Sequence, residues 1–156
     1  PHCVLKHQPL RVLLDAKGIV PTQGPLFDCQ LAPTLIMTSL QCPKNRLFEW
    51  QKAGAEVVIL PPSPTGVDLQ EAWQLLGERS ILQVMVEGGA TLQTALLQTA
   101  LVNRLLVYIG PLLLGTSGYS FYQKTITTLQ EAQRLVLQEV QRLGSSVRLD
   151  YDVLSS

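Results

Sequence analysis

The segment that most restricts the fold runs from residue 81 to residue 100. A mostly apolar stretch, 81–86, ends in Glu87 and two glycines, Gly88 and Gly89, and a helical pattern over 90–100 starts at once. The first turn of a helix carries unpaired N–H groups and the positive end of the helix dipole, and glycines let an anion come close to them. In open α/β sheets ligands bind beyond the carboxyl ends of the strands. The order strand, Glu, Gly-Gly, helix therefore predicts a phosphate-binding turn with Glu87 beside the bound group. A glycine pair also makes a plain tight turn, and the pattern alone leaves both readings open.

The rest of the chain alternates in the same way. Strands are predicted over 11–15, 34–38, 56–60 and 104–109, each a short apolar run bounded by breakers. A long connection over 16–33 carries Gly18, Pro21, Gly24, Pro25 and Pro33. Residues 44–53 are predicted helical, with Leu47, Trp50 and Ala53 on one face. Asp68 is a good N-cap for a second helix over 69–77, where Leu69, Ala72, Trp73 and Leu76 form a stripe. The period then changes: 134–143 and 147–154 are predicted as two long strands joined at Gly144-Ser145-Ser146. Strand–helix units followed by a hairpin predict an α/β fold, a mostly parallel sheet with flanking helices and antiparallel strands at one edge.

Composition excludes several functions. With 156 residues, 46% of them hydrophobic and 15% charged, one folded domain is expected rather than a disordered chain. Twelve basic and 12 acidic residues give a formal net charge of +0. No basic run stands out, so neither nucleic acid nor an anionic membrane is expected as a partner. Three cysteines, Cys3, Cys29 and Cys42, lie far apart without a C-x-x-C pair. They read as reduced thiols of an intracellular, cytoplasmic protein, with an organelle left open. No histidine or cysteine pair has zinc-site spacing, so no metal is expected. The histidine-glutamate and Pro-Cys-x-x-Cys signatures of a zinc deaminase are likewise missing from these residues.

Glu87-Gly88-Gly89, the alanine- and leucine-rich helix after it, the apolar Leu105-Leu106-Val107-Tyr108-Ile109 strand, Pro111 and Leu113-Leu114-Gly115 together resemble the RibD C-terminal family. That is the reductase domain of riboflavin biosynthesis, with a dihydrofolate-reductase-like fold. Upstream, Pro9-Leu10-Arg11-Val12-Leu13-Leu14-Asp15 resembles the family's Pro-Leu-Arg-Val-Val-Leu-Asp strand. Pro1-His2-Cys3-Val4-Leu5-Lys6 resembles the family's Asp-Asp-Pro-x-Leu-x-x-Arg segment, entered after the acidic pair. The resemblance thus implies a single reductase domain over 1–156, lacking the family's first strand and helix.

The resemblance implies NADPH-dependent reduction of 5-amino-6-(5-phosphoribosylamino)uracil to the ribitylamino product, a small-molecule substrate taken at a pocket containing Glu87. It places Gly88, Gly89, Ala90, Thr91, Leu92, Gln93, Thr94 and Ala95 around the cofactor pyrophosphate, with Leu92 and Ala95 also facing the core. Residues after the first strand, Ala16 and Lys17 beside Asp15, approach the adenosine end. Lys17 is the nearest cation for a 2′-phosphate, although relatives often carry an Arg slightly later, where Ile19 stands. Thr38, Ser39, Lys44 and Arg46 are weaker alternatives. Cys3 falls at an apolar substrate contact, and Lys6 at an arginine that anchors the substrate phosphate. Lys keeps that charge but loses the planar two-pronged donor. Asn103 replaces a usual Asp. A homodimer, and a deaminase domain upstream in the full-length protein, also follow from the resemblance. Two alternatives remain open: a non-catalytic remnant or nucleotide-binding module of the same fold, and a reductase of another pyrimidine or pterin.

Overall fold

In the sequence Thr34-Leu35-Ile36-Met37-Thr38 every side chain is buried, as expected of a strand covered on both faces. The structure, a computed structural model, describes residues 8–115 and 118–154. It divides into two compact units, Pro1–Leu82 and Gln83–Ser156.

In the first unit, strands β1 (Arg11–Leu14), β2 (Thr34–Thr38) and β3 (Glu56–Ile59) form a parallel sheet in the order β1-β2-β3. Leu13 lies opposite Ile36, and Met37 opposite Val58. Helix α1 (Lys44–Lys52) crosses from β2 to β3; a small hairpin, β4 (Pro62–Ser63) with β5 (Gly66–Val67), leads to helix α2 (Leu69–Glu78). Because strand side chains alternate, β2 feeds two cores. Leu35 and Met37 pack with Leu60, Val67, Ala72 and Leu76, on the side of α2. Ile36 packs with Cys42, Trp50 and Ala55, on the side of α1. Each of the Leu, Ile, Val and Met side chains so buried contributes roughly 1.5–3 kcal/mol.

The long connection from β1 to β2 is held by Arg11, whose guanidinium donates to the carbonyls of Pro25, Asp28 and Ala32. This explains how a segment rich in breakers, with only a short 3-10 turn at Pro25–Phe27, keeps one conformation. Cys29 and Cys42 are free thiols. At the far side of the sheet, Arg79 donates to both oxygens of Glu56, at 2.7 and 2.5 Å. That hydrogen bond holds the Glu56 carboxyl below its ordinary value. Its stabilisation is complete above the ordinary carboxylate range and is lost as pH falls through the lowered folded value. For so exposed a pair the effect is at most about 1 kcal/mol.

Asp68 caps α2 as expected: its Oδ1 accepts the N–H groups of Gln70 and Glu71 at 2.9 and 3.1 Å. The far end corrects an expectation. Residues 81–86 were predicted as a strand, and they form none, making no ladder with any described strand. Ile81 is instead drawn into the end of α2. Ser80 takes φ 60°; its N–H donates to the Gly77 carbonyl, and the Ile81 N–H to the Leu76 carbonyl. That is the Schellman arrangement, completed by Ile81 packing on the cluster that holds Leu76. Leu82 and Met85 then lie exposed. A left-handed serine is strained by roughly 1–2 kcal/mol relative to glycine. Ser80→Gly is therefore expected to raise unfolding free energy by about 1 kcal/mol, read from urea denaturation; a loss of stability would contradict this account of the helix end.

In the second unit, helix α3 (Ala90–Gln98) precedes an antiparallel sheet of β6 (Arg104–Ile109), β7 (Leu135–Leu143) and β8 (Ser146–Val153), in the order β6-β8-β7. The predicted terminal hairpin is present: Leu143 faces Ser146 across Gly144-Ser145, with Gly144 at φ 64°. The parallel and antiparallel strands thus form separate sheets. Across β6, β8 and β7 the rows Leu105–Tyr151–Leu137 and Val107–Leu149–Val140 share one face. Asp150, nearly fully buried on the other face, accepts from Arg104. The pairing slips by one residue between Leu137 and Glu139, leaving Gln138 as a bulge.

Candidate functional site

The predicted phosphate turn lies in the second unit, and its two glycines stand in different surroundings. A Cβ on Gly88 would stand 2.8 Å from Leu92 Cδ2 and 3.3 Å from its Cβ, so a side chain there would press on the first turn of α3 and Leu92 would have to give way. The Gly88 carbonyl also accepts from Gln93 Nε2 at 2.8 Å. Gly89 is the N-cap, at φ −72° and ψ 172°, a conformation open to any residue. A Cβ there would meet nothing within 4 Å. No side chain caps this helix.

Of the eight residues expected around a pyrophosphate, several have side chains engaged within the chain. Leu92 packs on Gly88, Gln93 donates to its carbonyl, and Thr94 Oγ1 accepts the Gln123 N–H at 2.8 Å. Ala95 is buried, as expected for the core face. Gly89, Ala90 and Thr91 remain at the end of the helix, with Thr91 exposed. Glu87 directly precedes them and is exposed. It sits at the end of an irregular segment rather than of a strand, which corrects its predicted setting.

Ala16 and Lys17 belong to the first unit, immediately after β1. There the chain turns through Gly18, at φ 70°, where a Cβ would stand 2.6 Å from Cys42 Sγ. Arg46 Nε donates to the Gly18 carbonyl at 3.2 Å, while its Nη1 pairs with Glu49 at 2.6 Å. Thr38 and Ser39 are fully buried, and their hydroxyls donate to the Asp15 and Ala16 carbonyls. Those two side chains are therefore committed to the fold and leave the list of phosphate contacts. Lys17 is exposed. Cys3 and Lys6 lie outside the described residues. Among the described residues no cluster of His, Cys, Asp and Glu could hold a metal, and no helix is long and apolar enough to cross a membrane.

Sequence reasoning missed the corner built from Asp15, Thr38 and Ser39. A signal was present: two neighbouring parallel strands, in register at Leu14 and Met37, both run straight into polar residues. Pairing those ends requires the register, which periodicity does not supply.

Residues 2–149 match the RibD C-terminal domain. The chain is 38% identical, over 94% of its length, to the riboflavin biosynthesis protein RibD of Chlamydia pneumoniae, of which it spans 39%. It is 32% identical over 74% of its length to the 2,5-diamino-6-ribosylamino-4(3H)-pyrimidinone 5′-phosphate reductase of Archaeoglobus fulgidus, spanning 54% of that protein. A solved structure of Acinetobacter baumannii RibD superposes with a TM-score of 0.77 at 25% identity, over 92% of this chain and 37% of that one. The fold expected from the resemblance is thereby borne out. With its glycine turn, its paired parallel strands and its terminal hairpin in the expected order, this chain belongs to the RibD C-terminal domain family.

Proposed function

We propose that residues 1–156 are the reductase part of a protein that uses NADPH to convert 5-amino-6-(5-phosphoribosylamino)uracil to its ribitylamino product in riboflavin biosynthesis. The observation that carries this reading is Gly89. Its backbone is ordinary and its Cβ position is open, so beyond its place as the N-cap nothing within the chain's own packing calls for glycine there. An anion approaching the first turn of α3 does, because a side chain would stand in its way. The uncapped N–H groups of that turn suit a pyrophosphate, so the residues present fit a dinucleotide. The reductase name of the Archaeoglobus fulgidus relative supports the reaction class.

Each residue then has a physical task. Gly89, Ala90 and Thr91 hold the pyrophosphate through backbone N–H groups and one hydroxyl. Ala16 and Lys17 approach the adenosine end, where Lys17 supplies the positive charge that favours NADPH over NADH. Glu87 accepts hydrogen bonds from sugar hydroxyls or from the aminopyrimidine. Lys6 anchors the substrate phosphate as a point charge, and Cys3 gives an apolar contact. The bound cofactor supplies the hydride; the protein aligns it with the substrate and excludes water. Self-association as a homodimer belongs to the same proposal, as do a cytoplasmic setting and a deaminase domain elsewhere in the full-length protein.

The test is a fluorescence titration with NADPH and with NADH, followed by turnover of 5-amino-6-(5-phosphoribosylamino)uracil by the full-length protein. Binding of NADPH at least about tenfold tighter than NADH is expected, with cofactor oxidation only when the pyrimidine is present. If neither nucleotide binds, the proposal fails; equal binding of the two would remove Lys17 from the 2′-phosphate.

A further inference from the structure

The loop after β1 is fixed far more firmly than a surface turn requires, and one buried carboxylate lies at its centre. Asp15 is only 7% exposed. Its Oδ2 accepts the Val20 N–H at 2.7 Å and its Oδ1 the Lys17 N–H at 3.3 Å. Its own N–H donates to the Met37 carbonyl at 3.1 Å, and its carbonyl accepts the Thr38 hydroxyl at 2.7 Å. One residue on, the Ala16 carbonyl accepts the Ser39 hydroxyl at 2.8 Å. The other side of the loop is pinned as well, since the Val20 carbonyl accepts Trp50 Nε1 at 3.0 Å. Gly18 closes the turn against Cys42 and Arg46. Between these fixed points only Lys17 and Ile19 are exposed.

We infer that Asp15 is the positioning residue of the cofactor's adenosine subsite, its buried carboxylate holding the 16–20 loop so that Lys17 and the adjacent backbone are presented already ordered. This rests on the cofactor reading above, which gives Ala16 and Lys17 their task but gives Asp15 none. The two carboxylate oxygens close the loop onto its own root, one on each side of Gly18. Without them, residues 17–19 sample other conformations, and a ligand must order them as it binds. The apparent dissociation constant then rises by the inverse of the competent fraction. Asn keeps the shape and one acceptor oxygen but turns an NH2 group toward a backbone N–H; Ala keeps neither.

The experiment measures NADPH affinity by fluorescence for wild type, Asp15→Asn and Asp15→Ala, with thermal melts of the unliganded proteins. Leu35→Ala serves as a control that destabilises the core while leaving both hydrogen bonds of the Asp15 carboxylate in place. About a tenfold rise in Kd is expected for Asn and a larger one for Ala. The loss should extend to the adenosine bisphosphate fragment and spare nicotinamide mononucleotide. Leu35→Ala should melt earlier yet keep the wild-type Kd. If Asp15→Ala does not fold, the Asn variant decides. Wild-type Kd in Asp15→Asn, or a loss matched by Leu35→Ala at equal melting temperature, overturns the inference and leaves the cofactor reading intact. Failure of the cofactor reading shows separately, as absence of NADPH binding by the wild type.

Discussion

Gly89→Val is expected to weaken NADPH binding by about tenfold to a hundredfold, or roughly 1.4–2.8 kcal/mol, while the protein stays folded. The two effects separate because of where the new side chain goes. Gly89 has φ −72° and ψ 172°, which a β-branched residue adopts readily, and its Cβ meets no atom of the chain within 4 Å. The cost to the fold is that of a poor N-cap residue, about 1 kcal/mol. The cost to binding is larger, because a branched side chain displaces a phosphate from the N–H groups of the first turn. Gly88→Ala makes the useful contrast, since its Cβ pushes on Leu92 and its effect should appear in the melting temperature. A fluorescence titration beside a thermal melt distinguishes the two. Unchanged affinity in Gly89→Val would withdraw the pyrophosphate from this helix.

Trp50→Ala should have the largest effect on stability, a loss of about 3–5 kcal/mol. The indole is fully buried with Ile36, Cys42 and Ala55, and its Nε1 donates to the Val20 carbonyl at 3.0 Å. Truncation leaves a cavity beside β2 and removes one of the hydrogen bonds that hold the connection from β1. Trp50→Phe restores much of the volume but not the hydrogen bond, and should lose clearly less. Urea denaturation measures both. A loss below about 1 kcal/mol for Ala would mean that α1 does not rest on the sheet through this residue.

Most of the elements were legible because their signals are local. Breakers bracket β1, β2 and β3; Asp68 announces α2; Gly144-Ser145 announces the hairpin. The exception, 81–86, shows the limit of such signals. Its apolar residues match a strand, yet a strand exists only through a neighbour's N–H and C=O groups, and Ile81 finds a better place closing α2. At the candidate site the glycine pair was legible as a pair, but not its division of labour. Only the packing of Leu92 separates Gly88, which is crowded, from Gly89, whose Cβ position is open. Asp15 was hidden for a related reason: its partners are its own loop and the end of β2, brought together by the Leu14–Met37 register.

The bulge at Gln138 governs how this chain should be aligned with its relatives. Leu137 faces Tyr151 and Glu139 faces Asp150, so the residues on either side of Gln138 already oppose consecutive positions of β8. Removing Gln138 alone would leave every other side chain of β7 on its present face and Glu139 beside Arg148, to which it is paired at 3.0 Å. Losing a residue farther along β7 with the bulge kept would turn part of the strand over. A one-residue gap in this strand therefore belongs at Gln138, even where sequence similarity scores a neighbouring position equally well.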